Sequence, residues 1–362
     1  MRRISDTLAR LAKFQPPSMP SVGGAGGSDR LATLTGFGSN PGALQARLHV
    51  PEGLKPGAAL VVALHGCTQT AAGYDHGTGW SDLAHAEGFV VLLPEQARGN
   101  NANVCFNWFE PGDIRRTGGE AESIAQMIRA TIAEHGIDPA RVFVTGLSAG
   151  GAMTAVMLAT YPELFAGGAI IGGLPYGSAS NVSQALDRMR GHGLAADNVA
   201  ADAVRAAGEA ARWPRVSVWH GSADSTVTAA NMDRLTGQWR TVHGLPATPS
   251  RVETGPRWER RVWADAAGRD AVEQWAIAGM GHGVPVDPAA LGHAGPYMLD
   301  VGLSSTLAIA RSWGLTERVS VERTAEEPAR ASAFPEVPAL GSMPAGVQDT
   351  IDRAMRAAGL MR

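Results

Sequence analysis

Cysteine is almost absent from this chain: Cys67 and Cys105 are the only two among 362 residues. Two thiols exclude a disulfide scaffold and a cysteine-based zinc site, and leave room for one bridge at most. Lysine is as scarce, at Lys13 and Lys55 alone, so the basic charge is nearly all arginine, which we read as a compositional habit without functional meaning. Charged residues make up only 18% and the net charge is −3, which excludes an electrostatic nucleic-acid binder. No apolar run approaches the ~18 residues of a membrane span, so no transmembrane segment is expected. Residues 1–17 are basic but lack the apolar stretch of a secretory signal, and export by the general route is not expected. His65, Cys67, Asp75 and His76 lie close together, yet no H-E-x-x-H or C-x-x-C spacing occurs, so no metal is expected. No G-x-G-x-x-G follows the early strands and no G-x-x-x-x-G-K-[ST] occurs anywhere. No nucleotide or other cofactor is therefore expected.

What the chain does have is 44% hydrophobic residues, enough for a sizeable core, and 45 glycines with no fixed period. Its length admits one large domain or two small ones. Short apolar runs at Ala59–Leu64, Phe89–Leu93, Arg141–Thr145, Ala166–Gly172 and Val216–His220 read as parallel strands covered on both faces, because their apolarity is continuous. Helical patterns at Trp80–Glu87, Glu120–His135 and Ala149–Tyr161 lie between them, the second ending at His135-Gly136. Strands at Glu259–Trp263 and Val272–Ala278 and a helix over Leu303–Trp313 follow. Repeated strand–helix units predict a doubly wound, mostly parallel α/β sheet. Residues 173–213 interrupt the rhythm with one or two Ala-rich helices, either a cap over the site or a plain surface insertion.

Two tails flank this body. Residues 1–40 carry Ile4, Leu8 and Leu11 at helical spacing with Arg2, Arg3, Arg10 and Lys13 alongside, then prolines and a glycine connector. Residues 317–362 hold Pro328, Pro335, Pro338 and Pro344 before a short helix at 347–360. The catalytic body is expected over 41–316.

The sharpest local signal is Gly146-Leu147-Ser148-Ala149-Gly150-Gly151, which arrives after a strand and before a helix. A serine on so tight a turn is pushed out above the sheet edge, at a helix N-terminus that favours developing negative charge. Ser148 is the candidate nucleophile. It needs a base and the base needs an orienting acid, both expected later in the chain at strand ends. Asp224 directly follows the strand VSVWH; Asp233 in a helix and Asp265 at a hairpin are weaker rivals. His282, in GMGHG, directly follows the strand VEQWAIA, whereas His220, His243 and His293 read as structural. An acyl-transfer serine also needs two N–H donors for its oxyanion. One is expected from Ala149, the other from the loop His65-Gly66-Cys67-Thr68-Gln69.

The segments HGCTQTAAGYD (65–75), CFNWF (105–109), GLSAGG (146–151), WHGSADSTV (219–227), GMGHG (279–283) and HAGPYMLDVGLSSTLAIARSWGL (293–315) together resemble the polyhydroxybutyrate depolymerase family of esterases. The resemblance covers the body and neither tail. It implies an α/β-hydrolase fold, a triad of Ser148, Asp224 and His282, and Cys67 as the second oxyanion amide. It also implies that Cys67 and Cys105 are neighbours: either they form a bridge in a protein exported by an unrecognised route, or they are two thiols in a reducing cytoplasm, the reading favoured in the absence of an export signal.

The expected activity is serine-esterase hydrolysis of hydroxyalkanoate polymer or oligomers. A feruloyl or acetylxylan esterase is the alternative, and a granule-binding protein with a vestigial hydrolase body is a third reading. Polyester or a small ester is the expected partner, with polymer-granule association through the tails. A cytoplasmic or granule-associated location is expected, with export by an unrecognised route as the alternative. Trp80, Trp108 and Phe109 are candidates for gripping an uncharged chain through aromatic surface, with core packing the favoured alternative for any one of them.

Overall fold

The computed structural model describes residues 30–318. The helices expected at 1–13 and 347–360 lie outside that range. Two strands open it, β1 (Ala32–Thr33) and β2 (Gln45–His49). The five apolar runs become β3 (Leu60–Leu64), β4 (Val90–Glu95), β5 (Val142–Leu147), β6 (Gly167–Ile171) and β7 (Arg215–Gly221). β8 (Arg251–Thr254), β9 (Trp258–Ala264) and β10 (Asp270–Ile277) complete a ten-stranded sheet ordered β1–β2–β4–β3–β5–β6–β7–β10–β9–β8. The six central strands from β4 to β10 pair in parallel, and antiparallel strands close both edges. A separate parallel pair, β11 (Val284–Val286) and β12 (Met298–Asp300), stands beyond β10.

Eight helices cover the sheet among the described residues: α1 (Ala71–Thr78), α2 (Trp80–Glu87), α3 (Gly119–His135), α4 (Ala149–Thr160), α5 (Val182–Met189), α6 (Asp197–Ala207), α7 (Ala230–Val242) and α8 (Ser305–Ser312). Side chains alternate across a strand, so each central strand feeds two cores. Leu60, Val62 and Leu64 pack with α3, α4, α6 and α7 on one face. Val61 and Ala63 pack with α1, α2 and α8 on the other. That double covering is why the runs are continuously apolar. α3 ends as its sequence suggests, with Gly136 in the left-handed region at φ 62° and its N–H on Ile132 O. α1 is not evident in the sequence, because AAGYDHGT holds two glycines and no apolar stripe. Thr70 starts it by accepting the Gly73 N–H at 3.1 Å.

One boundary differs from expectation. Residues 30–40, assigned above to the tail, belong to the body: β1 pairs with β2, and Leu31 and Leu34 are buried in the two cores. A two-residue edge strand carries too little periodicity to be read. The insertion at 173–213 is built into the α4/α7 layer. Asp197 pairs with Arg234 and Arg240 of α7, and Gln238 Nε2 donates to Tyr176 O and Ala200 O. Thr228 N–H donates to Met189 O at 2.8 Å and Asn231 Nδ2 to Arg188 O at 2.9 Å. The insertion thus buttresses the segment that follows Asp224.

Candidate active site

The parallel strands deliver three loops to one sheet edge. Ser148 stands between β5 and α4 at φ 58°, ψ −117°, a conformation that costs a non-glycine residue about 1–3 kcal/mol. Its N–H donates to Ile171 O at the end of β6, 2.9 Å away. The turn is tight enough that a Cβ on Gly146 would lie 2.5 Å from Gly150 O, and one on Gly150 would overlap Leu64 O. These glycines allow α4 to start against β3, where its first N–H groups have no internal acceptor.

Asp224 follows β7 and is buried. Its Oδ1 accepts the N–H groups of Thr226 and Val227, both at 2.9 Å. Its Oδ2 lies 2.7 Å from His282 Nδ1, which must be the donor because a carboxylate only accepts. Burial by itself pushes the Asp224 carboxyl up, but hydrogen bonding and charge from His220 and His282 reverse this and hold it well below the usual carboxylate range. The His282 ring lies over the end of β6, where a Cβ on Gly172 would stand 3.2 Å from its Cε1. Ser148 and His282 therefore flank the same pair, Ile171-Gly172. No hydrogen bond joins their side chains among the described residues, and such bonds often tighten only with substrate. Of the two glycines beside His282, Gly283 is sterically required, since a Cβ there would meet Tyr297 O at 2.7 Å; Gly281 faces open space.

The 65–69 loop is pinned on several sides. His65 Nδ1 lies 2.8 Å from Gly66 O and Nε2 accepts the Gln96 N–H at 3.1 Å, which settles the tautomer. Burial drives the His65 pKa down. Gly66 N–H donates to Gln69 Oε1 and Thr68 N–H to Asn103 O. The Cys67 N–H has no acceptor among the described residues, as an oxyanion donor requires. Cys67 and Cys105 form a disulfide, which corrects the expectation of free thiols. Spatial proximity of the two loops decides the pairing, and sequence spacing does not encode it.

The neighbouring 96–107 segment, which carries Cys105, is held by Glu120, which sequence reading missed. Its Oε1 accepts from Gln96 Nε2 at 2.5 Å and its Oε2 from Asn107 N at 2.8 Å, while Gln96 Nε2 also reaches Cys105 O at 3.0 Å. Burial pushes the Glu120 carboxyl up to about 8. An acidic residue in the first turn of a helix resembles ordinary dipole compensation, so its burial is invisible in sequence.

The aromatic candidates separate. Trp80 is 1% exposed and stacks on Trp313 at 5.9 Å, so it is a core residue and not a substrate contact. Trp108 is buried in the α3/α4 core; Phe109 packs edge-on against it at 5.4 Å and stays half-buried. The rival acids are engaged elsewhere, Asp233 with Gln274 Nε2 and Asp265 with Arg269. His243 bonds Pro214 O, and His293 stacks on His76 at 3.9 Å at the surface. His220 is different. Read as merely structural, it lies with Nε2 2.7 Å from Val227 O and 3.4 Å from Asp224 Oδ2. Its position four residues before Asp224 was the available signal. Among the described residues no group of three His, Cys, Asp or Glu side chains could hold a metal ion.

Residues 46–260 match the family model described as Esterase PHB depolymerase. The chain is 46% identical over 299 residues to poly(3-hydroxyalkanoate) depolymerase C of Paucimonas lemoignei, covering 79% of this chain and 70% of that protein. It is 31% identical over 267 residues to feruloyl esterase B of Talaromyces stipitatus, covering 71% and 73%. An acetyl xylan esterase from Aspergillus awamori superposes with a TM-score of 0.69 at 28% identity, over 79% of this chain and 99% of that one. With an α/β-hydrolase sheet whose strand ends carry a serine elbow, an acid and a histidine, this chain belongs to the PHB depolymerase family of carboxylic ester hydrolases.

Proposed function

We propose that the protein is a serine esterase that hydrolyses polyhydroxybutyrate or related hydroxyalkanoate esters through an acyl-enzyme. The 2.7 Å His282–Asp224 bond beside the strained Ser148 elbow carries this reading. Ser148 Oγ attacks the ester carbonyl while His282 Nε2 takes its proton, and Asp224 holds the ring and offsets the imidazolium charge. The N–H groups of Cys67 and Ala149 stabilise the oxyanion. As the intermediate collapses, His282 gives the proton to the departing alkoxide, leaving Ser148 acylated. Water, deprotonated by His282, then releases the hydroxyacid and restores the serine.

Identity to the Paucimonas enzyme exceeds that to the feruloyl esterase, which favours the hydroxyalkanoate substrate. Phe109 is the aromatic contact we retain. Ser148→Ala is expected to abolish turnover of a short p-nitrophenyl ester, and full retained activity would sink the mechanism. Product analysis should show faster cleavage of polyhydroxybutyrate and its dimer than of methyl ferulate. The reverse preference would support the feruloyl alternative. Binding to polymer granules is assigned to the basic residues of the 1–28 segment, and unchanged granule association after its deletion would dismiss that role. The bridge favours the exported alternative over a reducing cytoplasm. A thiol titration of protein isolated from its native cells should find neither cysteine free.

A further inference from the structure

His220 is fully buried in β7, and its Nδ1 has no partner. Because Val227 O only accepts, the hydrogen of the ring sits on Nε2, 2.7 Å from that oxygen. Nδ1 is then a buried lone pair with no protein partner, an arrangement that an aliphatic residue would avoid. What the ring supplies in return is a closed circuit around the acid. Val227 donates its N–H to Asp224 Oδ1, Val227 O receives His220 Nε2–H, and the same nitrogen lies 3.4 Å from Asp224 Oδ2. With Oδ1 held by Thr226 and Val227, Oδ2 alone is aimed at His282.

We infer that His220 is a positioning residue for the reaction: by pinning the Val227 carbonyl it locks the turn that points Asp224 Oδ2 at His282 Nδ1. The inference rests on the serine-esterase reading above. Loss of the ring leaves Val227 O buried and unpaired, lets the turn shift, and swings the carboxylate away from the imidazole. Substrate contacts are untouched, so the defect falls on kcat.

The test compares wild type, His220→Leu and His220→Gln on a soluble p-nitrophenyl ester, with kcat expressed per folded molecule from near-UV circular dichroism. His220→Leu should lose kcat about 100-fold, the cost of a misplacement near 1 Å, with KM unchanged. It should also displace the low-field proton NMR signal of the His282–Asp224 bond. His220→Gln, whose amide N–H reaches as far as Nε2, should recover most of the kcat and the signal. A folded His220→Leu with wild-type kcat overturns the inference, as does a folded His220→Gln that recovers neither. If His220→Leu does not fold, the glutamine variant decides by the same two readouts. Ser148→Ala separates the two levels: activity there defeats the serine-esterase reading, whereas an inactive Ser148→Ala beside a fully active His220→Leu defeats only the role of His220.

Discussion

At Ser148, stability and chemistry pull in opposite directions. A φ of 58° with ψ −117° is tolerated by glycine and strained for any other residue, and the bond to Ile171 O holds the serine there. Ser148→Gly should therefore be inactive yet more stable, by about 1–3 kcal/mol in urea unfolding. Unchanged stability would mean that the turn is unstrained. Trp80 and Phe109 offer a second contrast. Trp80→Ala should destabilise by about 3–5 kcal/mol with KM for soluble ester unchanged, as expected for a fully buried ring. Phe109→Ala should leave stability nearly intact and raise KM for oligomers. The serine could be read directly from sequence, since G-x-S-x-G between a strand and a helix is a local pattern. Trp80 stayed open between core and substrate because nothing in WSDLAHAE distinguishes a tryptophan facing Trp313 from one facing substrate.

At the scale of elements, the disulfide and Glu120 jointly hold the loops that carry Cys67 and Cys105. The bridge spans 38 residues, and by chain entropy its removal should cost about 4 kcal/mol. Cys105→Ala spares the Cys67 N–H, so it should lower the free energy of urea unfolding by that amount, and the midpoint with it, while leaving measurable turnover. A midpoint equal to wild type would exclude the bridge. Glu120 imposes a pH dependence of definite sign. Its folded pKa is raised from 4.5 to about 8 by burial, so between those values the native state binds the extra proton. Stability from this group is complete below the unfolded value and is lost as pH rises through about 8. The melting temperature should fall as pH rises from 4.5 to about 8, the window set by those two values. Glu120→Gln cannot ionise and should flatten the slope, from a lower starting point because it accepts one hydrogen bond fewer. A wild-type slope surviving in that variant would assign the effect elsewhere.

At the scale of the whole molecule, residues 30–318 hold the ten-stranded sheet and a core on each of its faces. A chain trimmed to those residues should keep its activity on a soluble ester, measured as kcat/KM, because each candidate site residue lies within them. Loss of activity with loss of fold would show that the trimmed segments pack on the body. The parallel sheet was legible because burial on both faces writes continuous apolar runs into β3 to β7, and the elbow because its geometry demands small residues at fixed offsets. The order of Ser148, Asp224 and His282 followed from strand succession. Longer-range relations were not legible. The closing of the Cys67–Cys105 bridge, the bonds of Glu120 to Gln96 and Asn107, the burial of Trp80 and the approach of His220 to Asp224 all join residues through space. Sequence by itself determined the central strands and the serine turn, since periodicity and local sterics are properties of neighbouring residues. Tertiary structure alone decided which side chains meet at the strand ends, because those contacts exist only after the sheet has closed the distance between them.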